Sequence, residues 1–384
     1  GFIVITLLLL FIGGNSLIRI TNIDQSTQRV NQLSLPALDK SYELQVEFIL
    51  MSKSAQASFY TTSQDELATI RKNFTEQKKR YDSSYQELQQ IVSNDPKLKQ
   101  SSQEVEQTYK RFAKSVDNLF KDKQTQLELN NTLRTQLENI EISAEDANSV
   151  VLDIIDIDGL EENHSRAYQA ANNMENNFQS VVTNSTDMLT VKTLNTLDIV
   201  KNEQVYYLEE VERSLGLIRP AIIESNADLY NDLNSYVENL VNNVRGNNSL
   251  SANKKRLIDA IAQTQAELAN AEKSTTEALK QLKELVDQAT VLAFDLQQDV
   301  SGNVSTATIW TWIAMVIATL IAIAVAAITV SRITKPLSEV NRILDIVASG
   351  DMTQRLDDSA KDEFGELSRS CNTLIESLRT LIQG

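Results

Sequence analysis

The chain has 384 residues, a formal charge of −16, one cysteine and one histidine. Phosphate binding needs clustered Lys and Arg, so this charge excludes nucleic acid as a partner. Cys371 by itself forms no intrachain disulfide, His164 by itself excludes a multi-histidine metal site within one chain, and no cofactor or metal is expected. Four prolines and ten glycines leave little turn chemistry, so the expected fold class is all-α.

In chain order, the first element is the apolar run Phe2–Ile12, continued by GGNSLIRI. Alone it is shorter than the ~20 residues a spanning helix needs. Residues 1–20 are expected to be the trailing part of a first transmembrane helix whose start is missing. A cleaved signal peptide fits less well, because no charged start and small-residue cleavage motif is present.

A helix is expected from about Ile20 to Tyr60, bent at Pro36, with Leu38, Tyr42, Val46 and Ile49 at helical spacing. TTSQDE follows, where Ser63 or Thr62 caps a second helix and Glu66 completes a capping box. That helix ends near Val92. SNDP stops it and starts a third, with Pro96 in the first turn, which runs to at least Val151. Gly159 marks a turn or irregularity.

A weakly patterned helix is expected from about Glu161 to Leu215, then a break at GLIRP (Gly216–Pro220), a Pro-kinked continuous helix being the alternative. Leu208, Val211, Leu215, Ile218 and Ile222, then Leu229, Leu233, Leu240 and Val244, form a bundle seam. RGNNSLSANKK is a loop. A sixth helix runs from about Ser251 into an uncharged stretch, Ile309–Val330, headed by Trp310 and Trp312 and followed by Arg332 and Lys335. Aromatic belts and trailing positive charge mark a second transmembrane helix, residues 306–331, with its C-terminal side cytoplasmic. Residues 21–305 then form an exterior sensor, periplasmic in a bacterium. Helices three and six are long enough to run its height, which gives two stacked four-helix bundles sharing them. Residues 153–190 exceed what this arithmetic needs and have no expected place.

After the second span, Leu337, Val340, Leu344 and Val347 form one short heptad seam, and Leu367, Cys371, Leu374, Leu378 and Leu381 form another. Two such helices from each of two chains would bury four seams together. Gly350 permits the turn between them, and Met352 and Leu356 can dock on the bundle. Pro336, the SGDMTQRL connector (Ser349–Leu356) and DEFGEL (Asp362–Leu367) resemble a HAMP domain, a parallel coiled-coil relay. The resemblance implies that Pro336 shapes the link from the membrane, that Glu363 clamps the region where the helices meet, and that Gly365 is the domain's glycine. It makes Pro336, Leu344, Glu363, Gly365 and Leu374 the expected signal-relay residues of residues 332–384.

The whole layout resembles methyl-accepting chemotaxis proteins with a helical bimodular-type sensor. That resemblance implies an inner-membrane, multi-pass homodimer in membrane lipid. It would bind a small-molecule ligand or a periplasmic binding protein, and would act on a downstream histidine kinase and coupling protein through a cytoplasmic region outside these residues. The alternative is the input half of a sensor histidine kinase. His164 lies on the exterior side and is no phosphoacceptor, and enzymatic activity is not expected.

Arg213 and Arg219 flank the expected GLIRP turn near the joint of the bundles, and a guanidinium fork there suits a carboxylate ligand. Surface pairing with Glu209, Glu210 or Glu212 is the plainer reading. Tyr206 and Tyr207 face different directions, so one is core and the other, Tyr206, joins the candidate ligand contacts. Glu43, Glu47, Asp228 and Asp232 would instead suit a cation, so composition leaves the ligand's charge open.

Overall fold

The computed structural model describes residues 2–383, and among them it is predominantly helical, with no strand. The helices are α1 (Phe2–Arg29), α2 (Leu35–Tyr60), α3 (Gln64–Ile91), α4 (Pro96–Ile155), α5 (Leu160–Asn163), α6 (Ser165–Thr190), α7 (Leu194–Ile222), α8 (Ala227–Val244), α9 (Leu250–Thr329), α10 (Lys335–Ala348) and α11 (Glu363–Gln383). They divide into two compact units: residues 33–291, and residues 1–32 with 292–384.

Within residues 33–291, α4 and α9 run antiparallel along their length. Side-chain hydrogen bonds step along the pair: Ser101 to Gln288, Arg111 to Glu277, Asn118 to Glu267, Gln126 to Ala260 and Asn253 to Gln136. Two four-helix modules share these long helices. The first adds α2 and α3 to the start of α4 and the later part of α9. The second packs α6 and α7 on the rest of α4, and α8 together with the start of α9 supplies its fourth helix. Aromatic rings fill the first core, where Phe48 lies 4.6 Å from Phe112 and Tyr81 stacks on Tyr109 at 4.0 Å. Smaller groups such as Ala147, Ala171 and Met174 fill the second.

The expected boundaries hold where caps specify them. Ser63 accepts from Glu66 N, Asp95 accepts from Lys97 N and Leu98 N, and Pro96 opens α4. Gly159 is left-handed at φ 78° and turns the chain into α5. The bend expected at Pro36 is a π-helical segment, Val30–Ser34, just before the proline. Proline cannot donate to the ladder, and the wider turn absorbs the mismatch.

Three expectations are revised. The helix expected from Glu161 to Leu215 breaks at Val191–Thr193, so the unplaced residues become α6, and α6–α7 is a hairpin. The break expected at Gly216–Pro220 is absent, and α7 runs through both residues to Ile222. Proline's ring collides with the carbonyl four residues back. That residue is Gly216, which no other group crowds, so the turn can widen there without displacing a side chain. The loop expected over RGNNSLSANKK is confined to Arg245–Ser249, and it does not reverse the chain. Arg245 pairs with Glu209 and Glu212, and Lys254 reaches the carbonyl of Leu189, so α9 continues in the direction of α8.

The modules repeat one design. Every buried position of the α2–α3 hairpin from Ala37 to Leu88 whose counterpart lies 130 residues on, from Ala167 to Ile218, recurs buried: Phe48 and Phe178, Ser58 and Met188, Leu67 and Leu197, Tyr81 and Val211. The hairpin caps correspond too, since Thr193 accepts from Thr196 N as Ser63 does from Glu66 N.

Candidate functional site

The second unit contains the relay segment. One helical run among the described residues, 250–348, holds a window apolar enough to cross a membrane, with a mean hydropathy of 2.8 and none of it buried. Phe11, Ile12, Asn15 and Ser16 of α1 line a small cavity with Ala307, Trp310 and Ala314 of α9, so these helix stretches pack side by side. A second π-helical segment, Val330–Thr334, precedes Lys335 and Pro336 at the start of α10, repeating the device found before Pro36.

Beyond it, α10, the extended connector and α11 close around Val340, Ile343, Val347, Leu356 and Ile375, with Leu344, Met352 and Cys371 packed at the edge. Gly350, at φ 99°, turns the chain out of α10. The side chains of α11 then hold the connector. Asn372 accepts from Leu356 N and donates to Leu356 O, both at 2.9 Å, imitating a strand pairing. Arg369 donates to the carbonyls of Asp358 and Ala360, and Arg355 pairs with Glu376. Sequence reasoning missed Asn372 and Arg369. Their signal was a polar pair three apart on a helix otherwise patterned by leucine.

Gly365 sits where no side chain fits, since a Cβ there would lie 1.8 Å from the carbonyl oxygen of Ala360. Asp362 accepts from Gly365 N at 3.1 Å and caps α11, while its neighbour Glu363 is exposed. Two stripes run along α11. The inner one, Ser368, Cys371 and Ile375, faces the connector and α10. The outer one, Leu367, Leu374, Leu378 and Leu381, is open, with Leu374 53% exposed and Leu381 79%. Leu337 of α10 is open as well.

In the sensor unit the α7 residues lie apart. Arg213 pairs with Glu210 at 3.0 Å, Arg219 stands 5.7 Å over the ring of Tyr230, and Tyr206 is exposed beside Tyr207. Arg213 and Arg219 lie toward the α7–α8 turn and Tyr206 near the middle of α7, whereas Lys254 and Leu189 meet at the opposite end of that module, where the two modules join. That joint is built on two equivalent lysines. Lys123 donates to Phe59 O and Lys254 to Leu189 O, each at 2.6 Å, satisfying a last-turn carbonyl of α2 and of α6. Burial pushes both ammonium groups below the ordinary lysine value.

On α2 the stripe Tyr42, Val46 and Ile49 is exposed, and the core stripe is Ala37, Ser41, Leu44, Phe48 and Met51. Beside the exposed stripe runs a charge network. Lys40 bridges Glu43 at 2.8 Å and Glu87 at 2.9 Å, Ser84 donates to Glu43, and Arg80 pairs with Glu47 at 2.7 Å.

Residues 328–380 match the HAMP domain family. Seventy residues are 37% identical to the methyl-accepting chemotaxis protein McpA of Bacillus subtilis (strain 168), which is 18% of this chain and 11% of that protein. The chain therefore spans a small part of that relative's length. Among solved structures, the sensor domain of the V. parahaemolyticus histidine kinase TorS aligns with 66% of this chain and 99% of its own, at TM-score 0.47 and 12% identity. The TorS sensor domain in complex with TorT in the presence of TMAO aligns equally, at 13% identity. The chain carries a HAMP domain and is similar to a methyl-accepting chemotaxis protein over the seventy residues that match.

Proposed function

We propose that the chain is the input and relay part of a transmembrane chemoreceptor. Residues 1–20 and 306–331 are its two spans, residues 21–305 its periplasmic sensor, and residues 332–384 its HAMP relay. A solute, alone or carried by a periplasmic binding protein, engages the sensor of a homodimer, and Arg213, Arg219 and Tyr206 on α7 are candidate contacts. The occupied sensor favours one of two packings, and α9 passes the difference to α10 as a small displacement. Pro336, Leu344, Glu363, Gly365 and Leu374 carry it onward, toward a kinase-control region.

The carrying observation is an apolar window in α9 that leads straight into a HAMP fold whose leucine stripe is left exposed among the described residues. A second copy covers that stripe with the same leucines, as a two-fold axis requires. The stripe Tyr42, Val46 and Ile49 of α2 is exposed as well, and a homodimer would use it as a second contact in the sensor unit.

Single cysteines at Asn130 and Arg332, in a chain whose Cys371 is replaced by serine, test the topology in intact cells. An impermeant maleimide is expected to label position 130 from outside and position 332 only after permeabilisation. Labelling of both positions from one side overturns the reading.

A further inference from the structure

The repeated modules contain their own control. Lys123 and Lys254 make the same hydrogen bond in the two copies, but the residues that follow differ. The first copy has Gln126, Asn130, Asn131 and Arg134. The equivalent positions of the second, each 131 residues on, are Leu257, Ile261, Ala262 and Gln265. The hairpin and its lysine anchor therefore form without that polar set.

In the first copy those four residues and Lys123 line an open cavity of about 460 Å³, with Thr61 to Asp65 at the start of α3 forming the facing wall. Three sources of positive potential converge on it. Lys123 uses one N–H on Phe59 O and keeps others. Arg134 makes no ion pair or hydrogen bond among the described residues, although the chain carries a −16 charge. The Ser63 cap takes Glu66 N, leaving the first backbone N–H groups of the 28-residue α3 free. One carboxylate, Asp65, stands in the same lining and opposes a second negative charge on an occupant.

We propose that this cavity, at the joint of the two modules, binds a small hydrophilic monocarboxylate. Its carboxylate lies among Lys123, Arg134 and the start of α3, and its polar substituents meet Asn130 and Asn131. This rests on the sensor reading above and names the ligand class for that sensor. Occupancy ties the α2–α3 turn to the middle of α4, where one module's core gives way to the other's.

The test uses the full chain in lipid nanodiscs, titrated calorimetrically with acetate, pyruvate, L-lactate, glycine, L-serine and succinate. The repeat supplies the variant: N130I/N131A/R134Q installs residues that the second copy already tolerates. At least one monocarboxylate is expected to bind the wild type more tightly than succinate does. The variant is expected to bind it at least tenfold more weakly, with an unchanged melting temperature in the absence of ligand. Unchanged affinity in the triple variant, or no binding of any of the six acids to the wild type, overturns the site. The maleimide experiment judges the sensor reading independently of either result.

Discussion

Gly365 shows how one residue can decide a fold locally. The connector brings the Ala360 carbonyl onto the first turn of α11 so closely that only hydrogen fits. Rigid backbone cannot yield as a side-chain tip can, so Gly365→Ala is expected to destabilise the HAMP segment by ~2 kcal/mol or more. Hydrogen exchange of residues 335–383 in the full chain would register the loss, and unchanged protection would contradict it. Glu43 offers a pH-dependent counterpart. Lys40, and then Ser84, hold its carboxyl below the usual value, against the opposing effect of burial. A depressed carboxylate stabilises the fold above the ordinary value near 4.5 and loses that contribution as pH falls through the folded value. The first module should therefore lose stability on acidification below that range, and Lys40→Met should flatten the dependence. Because Glu43 is partly exposed, the effect should be modest and weaken with salt.

Among the elements, the paired hairpins are informative. Each ends its first helix in an exposed turn and hands a carbonyl to a lysine from a long helix. Removing either lysine leaves that carbonyl without its donor while sparing the cost of a buried ammonium, so Lys123→Met or Lys254→Met should cost about 1–2 kcal/mol. Gln126 meets Thr264 beside the first anchor, and Lys254 lies ten residues along α9 from Thr264. That is roughly 15 Å of helix, so the two losses should add in the double variant. Denaturant unfolding of the four chains would show this, and strong non-additivity would mean that the modules are energetically one. The missed turn at Val191–Thr193 belongs to the same comparison. It contains no glycine or proline, and its cap pairs Thr193 with Thr196 where the first copy has Ser63 and Glu66. The capping-box rule recognises only the latter. The opposite error, a break placed at Gly216 and Pro220, came from punctuation that a packed helix absorbed.

For the molecule as a whole, the question is what the uncovered leucines do. A charge at Leu374 would sit in the proposed seam between copies but outside the core of its own chain, where Ile375 is fully buried. Leu374→Glu should therefore leave each HAMP segment folded and solute binding intact, while abolishing dimer cross-linking through a cysteine at Leu378 and the signal with it. Ile375→Glu should unfold the segment instead. Loss of solute binding in the Leu374 variant would refute the separation of sensing from relay.

Helical class, the capped start at Ser63, the start at Pro96, the apolar window of α9 and the HAMP wording were all legible in the chain, because each depends on residues within a few turns of one another. Long-range packing settled what local pattern left open. The spacing of Tyr42, Val46 and Ile49 is as helical as that of Leu44, Phe48 and Met51, and only α3 and α4 determine which stripe is covered. Leu374 and Ile375 are adjacent and similarly apolar, yet the connector selects Ile375. The cavity at Lys123 and Arg134 joins residues some seventy positions apart in the chain, Thr61 to Arg134, and a helix's period carries no information about its partner. Periodicity defines a face, and burying that face requires a second surface that arrives only when the chain has folded.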